Sequence, residues 1–254
     1  MKDQLIEQLN DADLVLVGIG EDFEEADYLK EVTAYQEVCD RVARDGAQWV
    51  MPYVNRYFLK NNVKLQKAFK ELENLLEGKN YFVVSVCMNG FLSEINLKKD
   101  RVTEPCGGYM KLQCKDACTP VTEVTGLDVF EEIEKCIIGE MEFKDIHMPV
   151  CAACGSPMEL NSLYAQNYAE AGYTDSWSVY MKWLQGTLNK KLCVLELGAG
   201  MMFSGVTRFR FEKIVALNQK ARLIRVHQHL YQLPEEIAER GLSIAQNAVA
   251  FLAE

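Results

Sequence analysis

Two apolar segments that each end in a Gly-x-Gly turn constrain the fold of this chain most. Leu14–Val17 leads into the turn Gly18–Gly20, and Leu192–Leu197 leads into the turn Gly198–Gly200. A short apolar run followed by a tight glycine turn is typical of a buried parallel strand. Glycines at such a turn let a phosphate approach the backbone closely, although an ordinary turn explains either motif equally well on its own.

Strands and helices alternate along most of the chain. Two further strands are predicted at Tyr81–Met88 and Arg222–His227. The spacing of apolar residues predicts helices over residues 2–12, within 26–78 with Gly78 as the C-terminal cap, over Asp128–Phe143, from an N-cap at Asp175, and from Pro234 to Phe251. This alternation predicts an α/β fold with a Rossmann-like, doubly wound parallel sheet. Such sheets bind nucleotide-like ligands at the carboxyl ends of their strands.

Four cysteines form two close pairs and predict a metal site. Cys114 and Cys118 are followed, 33 positions after Cys118, by Cys151 and Cys154. Two thiolate pairs can complete a tetrahedral site, and zinc is the metal that favours sulfur-only tetrahedral coordination. Four unrelated thiols, or two disulfides in a secreted chain, are the alternatives. A closed site of this kind has no open position for substrate, so its predicted role is structural rather than catalytic.

Size and charge exclude several classes of protein. The chain has 254 residues, which fits one large domain or one domain with an inserted module. Its net charge of −10 argues against nucleic acid as a partner, because that needs a basic face. No apolar run approaches the ~20 residues that span a bilayer, so no membrane partner is expected. The segment 1–4 lacks the features of a signal peptide, and nine cysteines fit a reducing compartment, so we expect a cytoplasmic protein.

Several segments in combination resemble a known family. Pro149–Gly155 reads Pro-Val-Cys-Ala-Ala-Cys-Gly, Glu104–Gly108 precedes the first cysteine pair, and Thr207–Glu212 follows the late turn in Leu195–Gly200. The order of these segments resembles that of the sirtuins, which are NAD-dependent protein deacylases and ADP-ribosyltransferases. The resemblance covers nearly the whole chain. The late turn and the segment after it resemble the macrodomain-linked branch of that family.

The resemblance implies a division of the chain into three parts. Residues 1–25, 78–108 and 168–254 would form a discontinuous Rossmann-like nucleotide-binding domain. Residues 26–77 would be a helical insertion, and residues 109–167 an inserted zinc-binding module. The implied cofactors are NAD, bound by the first part, and a structural zinc ion held by the four cysteines of the third.

The resemblance also implies which residues line the NAD site. The expected cofactor-binding residues are Gly18, Ile19, Gly20, Cys87, Asn89, Gly198, Gly200, Met201, His227 and Gln228, and the expected catalytic positions are Cys106 and Asn89. Cys106 replaces the family's histidine, which takes a proton from the nicotinamide ribose. A thiol with a pKa near ~8.5 is mostly protonated at neutral pH, so Cys106 acts as a base only if a neighbour lowers its pKa. The alternative is a small residue that fills a former histidine site.

Other departures from the family lie around the same site. Cys87 and Asn89 stand where the family carries asparagine and aspartate near the nicotinamide, and His227 replaces an asparagine near the adenosine ribose. The pair Glu21-Asp22 follows the first glycine turn, where its charges are unfavourable beside a pyrophosphate.

Two functions are therefore predicted. The first is a sirtuin-like protein that binds NAD(H) or ADP-ribose and acts as an NAD-dependent ADP-ribosyltransferase or deacylase with altered catalytic residues. Its partner would be an acylated or lipoylated acceptor protein. The alternative is a catalytically inactive pseudo-sirtuin, which serves as a nucleotide-binding or protein-interaction module. Cys106 and the pair Glu21-Asp22 favour the pseudo-sirtuin over an ordinary deacylase.

Overall fold

Nine strands and ten α-helices make up the fold, and the computed structural model describes all 254 residues. The strands are β1 (Leu14–Ile19), β2 (Tyr81–Ser85), β3 (Val102–Thr103), β4 (Gly107–Cys114), β5 (Thr122–Val124), β6 (Met158–Ser162), β7 (Leu192–Leu197), β8 (Arg222–Val226) and β9 (Gly241–Ile244). The helices are α1 (Lys2–Asp11), α2 (Ala26–Glu31), α3 (Thr33–Arg44), α4 (Met51–Leu59), α5 (Val63–Leu76), α6 (Leu127–Ile138), α7 (Thr174–Gln185), α8 (Arg208–Leu217), α9 (Glu235–Ala238) and α10 (Ala248–Ala253). None of these helices has both the length and the apolar composition that crossing a bilayer requires.

Six of the strands form one parallel sheet in the order β3-β2-β1-β7-β8-β9. β1 lies inside it, and Val17 of β1 pairs with Val83 of β2 on one side and with Leu195 of β7 on the other. β1 and β7 are buried along their whole lengths, as expected for parallel strands that helices cover on both faces. The sheet confirms the predicted Rossmann-like, doubly wound α/β fold.

Alternate residues of β1 contribute to two separate cores. Val15, Val17 and Ile19 pack into the larger core, which includes side chains of α1, α3, α4, α5 and α10. Leu14 and Leu16 pack into the smaller core on the other face, with side chains of α7 and α8. Full burial of one such aliphatic side chain contributes about 1.5–3 kcal/mol, so both faces of this strand stabilise the sheet.

The predicted helical stretch is confirmed as four helices, α2 to α5. α5 begins after Asn62, whose side-chain Oδ1 accepts a hydrogen bond of 3.1 Å from the Leu65 amide and so caps the helix. Its buried face includes Leu72, and the helix packs against α10. The helix ends at Leu76. Gly78 follows with a left-handed φ of +71°, which agrees with the prediction that this glycine caps the helix.

Residues between β3 and α7 form a second, smaller sheet that the sequence did not show. It is antiparallel, in the order β5-β4-β6, and α6 follows β5 in the chain. Leu112 of β4 pairs with Glu123 of β5 and with Leu160 of β6. β4 ends at Cys114, so the first cysteine of the predicted metal site is placed by this sheet.

A buried ion-pair cluster lies between β7, β8 and α8. Arg225 is fully buried, and its Nε donates to Oε1 of Glu196 at 2.6 Å while its Nη2 donates to Oε1 of Glu212 at 2.8 Å. Its Nη1 donates to the carbonyl of Gln232 at 2.7 Å. Arg208 lies 3.6 Å from Glu196, so two cations and two carboxylates share this interior. The arrangement ties the segment after β8 to the body of the sheet.

The prediction of one long helix from Pro234 to Phe251 is wrong. That segment forms the short helix α9, the edge strand β9 and the terminal helix α10. Gly241 interrupts the apparent helical spacing, and Ile244 of β9 pairs with Val226 of β8. Pairing with an existing sheet edge therefore overrode a spacing that looked helical.

Three smaller predictions also need correction. α7 begins at Thr174, so Asp175 lies inside its first turn and is not the N-cap. α6 ends at Ile138, where Gly139 adopts a φ of +88°, and does not continue to Phe143. β8 ends at Val226, so His227 lies in the loop after the strand and not in it.

Candidate active site

The carboxyl ends of β1, β2, β7 and β8 meet at one edge of the parallel sheet. The Gly20 amide donates to the Leu197 carbonyl at 2.8 Å, and the Val86 amide donates to the Ile19 carbonyl at 2.9 Å. The Gly198 amide donates to the Val226 carbonyl at 2.8 Å. These bonds continue the strand ladders into the turns. They bring both predicted glycine turns to one place, and this edge is where such sheets bind ligands.

The glycines of the first turn are explained by close packing. A Cβ on Gly18 would lie 3.0 Å from Cζ of Phe211 and still closer to the neighbouring ring carbon Cε2. A Cβ on Gly20 would overlap the backbone of Gly198 and Ala199. Gly18 needs to be glycine because the ring of Phe211 in α8 packs against it, and Gly20 because the turn of β1 touches the turn of β7, whether or not a ligand binds there. Ile19 has no exposed side-chain surface, so only its backbone faces the edge.

An acidic segment fills the space between the two glycine turns. Residues Glu21–Glu24 form one turn of 3-10 helix, and their carboxylates accept hydrogen bonds from backbone amides. Oε2 of Glu21 accepts from the Gly200 amide at 2.7 Å, and Oδ2 of Asp22 accepts from the Ala248 amide at 3.0 Å. Oε1 of Glu24 accepts from the Met88 amide. These carboxylates thus bond to backbone donors of the type that hold phosphate in nucleotide sites.

Burial raises the pKa of two carboxyl groups in this acidic segment. It raises the pKa of Asp22, and the hydrogen bond from the Ala248 amide opposes that rise. Burial likewise raises the pKa of Glu24, against the hydrogen bond from the Met88 amide.

Burial also raises the pKa of Glu104, which lies outside this segment, to about 7, and the charges of Lys111 and Arg56 only partly offset it. A carboxyl group with a pKa near neutrality is suited to proton transfer.

Cys106, one of the two residues predicted to be catalytic, directly precedes β4 and is buried, as is the predicted cofactor-binding residue Cys87 in the loop after β2. Cys106 has no exposed surface and packs against Val86 and Met88. Burial raises the pKa of the Cys106 thiol to about 12, and the negative charge of Glu21 adds to the rise. Burial, with the charge of Glu24, raises the pKa of Cys87 well above its usual range. Neither thiol is therefore a base at neutral pH.

The side chain of Asn89 forms its hydrogen bonds with backbone groups of the protein. Its Nδ2 donates to the carbonyl of Phe23 at 2.8 Å, and its Oδ1 accepts from the Phe91 amide at 3.1 Å. Its carbonyl accepts a hydrogen bond from Arg56, whose guanidinium lies 4.5 Å from the centroid of the Phe91 ring. The side chain therefore fixes the loop after β2 to the acidic segment.

The remaining predicted residues lie in two loops of the same edge. Nδ1 of His227 accepts from the amides of His229 and Leu230, at 3.1 Å each, so the proton of its neutral ring is on Nε2. Burial lowers the pKa of His227, and the charge of Asp22 opposes that shift. Gln228 and Met201 are exposed, and no hydrogen bond joins either side chain to the rest of the site.

A cavity of about 300 Å³ opens beside the turns, between the main sheet, α2, α4 and the small sheet. Its walls include apolar side chains of α2, α4 and the loops after β2 and β7, together with two acids and two tyrosines: Leu29, Leu59, Val86, Met88, Met202, Phe203, Glu21, Glu24, Tyr109 and Tyr164. Ligand sites commonly have volumes of about 300–1,000 Å³ and apolar walls with a few polar groups, so this cavity suits a small ligand moiety. Sequence reasoning did not find it, because its walls come from segments far apart in the chain.

The four cysteines of the predicted metal site converge. Their Sγ atoms all lie within 4.8 Å of one another. Cys114 and Cys154 are separated by 3.6 Å between sulfurs, and Cys118 and Cys151 by 3.5 Å. Tetrahedral coordination with bonds of about 2.3 Å separates sulfurs by about 3.8 Å, so the cluster fits such an ion. Cys114 and Cys151 are buried, whereas Cys118 and Cys154 are exposed.

The metal site and the cavity share one strand. Tyr109 of β4 lines the cavity, and Cys114 ends the same strand five residues later, roughly 17 Å away along an extended chain. The Tyr109 amide donates to the Met88 carbonyl at 3.0 Å, which joins the small sheet to the loop after β2. An ion at the cysteines would hold one end of the strand whose other end forms a wall of the cavity.

Solved structures of sirtuins share this fold. The structure of Sir2Tm bound to a propionylated peptide matches with a TM-score of 0.56 and 17% identity, covering 99% of this chain and 96% of that one. Sir2 in complex with an inhibitor, 2′-O-acetyl-ADP-ribose and a deacetylated peptide matches with a TM-score of 0.55 and 17% identity, over 99% of this chain and 96% of that one. A mutant of a Sir2 homologue with 2′-O-acetyl-ADP-ribose gives 0.58 and 15%, over 100% and 95%.

Two curated relatives carry related names. A protein of Staphylococcus aureus named protein ADP-ribosyltransferase is 22% identical over 187 residues, which is 71% of this chain and 58% of the relative. A Fusarium oxysporum protein named probable bifunctional ADP-ribose hydrolase/ADP-ribosyltransferase is 29% identical over 174 residues, which is 65% of this chain and 29% of the relative. The matched region is thus less than two thirds of either relative. No protein-family model matches the chain.

Proposed function

Because the chain has the fold of the Sir2 sirtuins, we propose that it is a sirtuin-like protein that binds NAD or ADP-ribose at the carboxyl edge of its parallel sheet. The observation that carries this proposal is the convergence of both glycine turns at one carboxyl edge of the sheet, where the Gly20 amide bonds to the Leu197 carbonyl and the Gly198 amide to the Val226 carbonyl. The edge also carries backbone donors that remain available. The amides of Met201, Met202 and Phe203 donate to no backbone carbonyl. Successive free amides of this kind are suited to bind a phosphate.

The chemistry we propose for an active form is transfer of ADP-ribose from NAD to a protein acceptor, which the names of the two relatives support. The cavity beside the turns would take the nicotinamide end or an acyl group of an acylated or lipoylated acceptor. Cys87 and Asn89 would position the loop that borders it. NAD, when bound, supplies the reactive glycosidic bond, while the chain's own residues orient the ligand and exclude water.

A specific observation favours a second candidate, a pseudo-sirtuin that binds a nucleotide or a partner without turnover. Cys106 is completely buried, and its thiol pKa of about 12 leaves no base at that position at neutral pH. Deprotonation of a ribose hydroxyl would need another group. Glu24 lines the cavity and has a raised pKa, but its carboxylate already accepts a hydrogen bond from the Met88 amide.

We propose that the ion of the four-cysteine cluster is zinc and that its role is structural. Four sulfur ligands complete a tetrahedral shell and leave no position for substrate. The cluster lies at the end of β4 remote from the cavity, which supports a role in holding the small sheet.

The test is calorimetric titration of the full chain with NAD and with ADP-ribose, combined with a nicotinamide-release assay. The assay would include unmodified, acylated and lipoylated acceptor proteins. Met202→Glu places a charge in the wall of the cavity and should weaken binding, whereas Leu217→Glu is a matched control. The two side chains are 69% and 70% exposed, and Leu217 lies at the end of α8 outside the cavity.

The outcomes separate the candidates. Saturable binding that Met202→Glu weakens, with nicotinamide release, supports the transferase. Saturable binding without release from any acceptor supports the pseudo-sirtuin. Absence of saturable heat with both ligands would refute nucleotide binding in either form.

A further inference from the structure

The acidic segment after β1 already occupies a donor that a phosphate would use. Oε2 of Glu21 accepts the Gly200 amide at 2.7 Å, in the second glycine turn. Asp22 and Glu24, on either side, bond to the amides of Ala248 and Met88, so the segment is anchored at several points. A carboxylate and a phosphate oxygen are both anionic acceptors of the same kind of hydrogen bond. The Gly200 amide cannot serve both at full strength.

The second glycine turn is shaped around these carboxylates. A Cβ on Gly198 would lie 2.7 Å from Cγ and 2.8 Å from Oδ2 of Asp22. A Cβ on Gly200 would lie 3.3 Å from the carboxylate atoms of Glu21. The absence of side chains at these glycines makes room for the acids. This is a different use of glycine from the close approach of a phosphate.

The arginine and the histidine ring that border the second glycine turn are both engaged in other contacts. Arg208 lies 3.6 Å from Glu196, and it donates to the carbonyls of Ala199 and Leu230. The His227 ring accepts two amide hydrogen bonds on Nδ1, so it is neutral in this arrangement. A pyrophosphate at the turns would therefore lie beside the negative charge of Glu21. Two negative charges at one amide donor repel each other strongly where water is partly excluded.

The contact of Glu21 is incomplete, which makes it displaceable. Oε1 of the same carboxylate is buried and has no hydrogen-bond partner. An unsatisfied buried oxygen carries a desolvation penalty that its release to water would remove. The carboxylate therefore resists a phosphate through its charge and its bond to Gly200, but it is not locked in place.

We propose that Glu21 is an internal competitor that occupies the phosphate position at the Gly200 amide, so that a pyrophosphate reaches this amide only by displacing it. The inference rests on the proposed nucleotide site and assigns a residue that sets its selectivity. Ligands without phosphate do not compete with Glu21. The site therefore discriminates against the diphosphate part of NAD and ADP-ribose, and not against the nucleoside.

The test measures the affinity of ADP-ribose and of adenosine for the wild-type chain, Glu21→Ala and Glu21→Gln. Glu21→Ala frees the Gly200 amide, and Glu21→Gln keeps an acceptor but removes the charge. Glu37→Gln is the matched control, because Glu37 is exposed on α3 and makes none of these contacts. We expect ADP-ribose to bind Glu21→Ala about tenfold more tightly than wild type, from the strength of one charge-assisted hydrogen bond. Glu21→Gln should show a smaller gain, and adenosine should bind all four chains equally.

The outcomes distinguish this inference from the proposed function. Binding of ADP-ribose that strengthens in Glu21→Ala, or that is detectable only in Glu21→Ala, supports the competitor. Equal binding of ADP-ribose to wild type and both Glu21 variants overturns the competitor and leaves the nucleotide site intact. Failure of ADP-ribose to bind any of the chains overturns both, and a thermal melt of each variant shows that the chain tested is folded.

Discussion

Replacing Gly18 by alanine tests whether this glycine is required by packing or by a ligand. The added Cβ would lie 3.0 Å from Cζ and 3.3 Å from Cδ2 of Phe211, and closer to Cε2 between them. Carbon atoms are most favourably separated by about 3.5–4.0 Å, so the ring or the strand must move. Phe211 is fully buried among side chains of the smaller core, such as Tyr180, and has no open space to move into.

The expected cost follows from overpacking a tightly filled core. One methyl group forced into such a place typically destabilises a protein by about 1–3 kcal/mol. For a chain of this size, about 2 kcal/mol corresponds to a fall in melting temperature of roughly 4–8 °C. Gly18→Ala should therefore lower the stability of the ligand-free chain. A role in ligand binding alone would leave that stability unchanged.

A double-mutant cycle with Phe211→Leu isolates the contact. Leucine lacks the ring atoms that meet the new methyl group. The free energy of unfolding of the double variant should therefore exceed the value expected from adding the two single changes by about 1 kcal/mol or more. The measurement is chemical denaturation of all four chains without ligand. If the two substitutions are additive, or if Gly18→Ala alone has no effect, the packing explanation of Gly18 is refuted.

Three further predictions concern other parts of the molecule. Arg225→Met should lower the free energy of unfolding by about 3–5 kcal/mol in a denaturation experiment, because it leaves Glu196 as a buried charge without its main partner. Adding Glu196→Gln should recover part of this loss. Fully additive effects of the two substitutions would contradict the prediction. Glu104→Gln should stabilise the chain by up to about 3 kcal/mol at pH 8 but hardly at pH 4.5. The reason is that the stability contributed by a protonated Glu104 is present below its unfolded pKa and is lost as pH rises through its folded pKa of about 7. Denaturation curves that shift equally at both pH values would argue against this prediction. Cys151→Ser should abolish stoichiometric metal binding in a freshly reduced sample, measured by elemental analysis, whereas Cys39→Ser, a half-buried thiol outside the cluster, should retain it.

The parts of the fold that follow from local patterns could be predicted from the sequence. β1 is an apolar run and β7 is apolar except for Glu196, each with a glycine turn after it, and their parallel burial followed from that pattern. The cysteine pairs converge as their spacing predicted. β9 was missed because its four residues are too short to carry a period, and its strand identity depends on the partner β8. The small antiparallel sheet was missed because β5 and β6 are short and β4, although eight residues long, begins with two glycines, which are unusual inside a strand.

The candidate site was only partly predictable. The sequence placed the glycine turns and the acidic pair in one region, because the carboxyl ends of parallel strands share an edge, and the family resemblance placed Cys106 there. It could not show that Phe211 fills the space above Gly18, or that Glu21 bonds to the Gly200 amide. Those contacts join residues distant in the chain, and nothing in the local sequence marks them.

The pairing of β1 with β7 has a consequence for how the chain reaches its native state. Leu14 pairs with Leu192, so the two central strands of the sheet lie 178 residues apart in the chain. Contacts between residues so far apart slow folding, since a long loop must close before they form. During synthesis at about 5–20 residues per second, β1 waits roughly 10–35 s for its partner. Until then β1 and β2 can pair, but one edge of β1 offers an uncharged, apolar template to other nascent chains. We therefore expect the yield of soluble protein to depend on chaperones that cover this edge, and to rise when translation of the segment between β2 and β7 is accelerated.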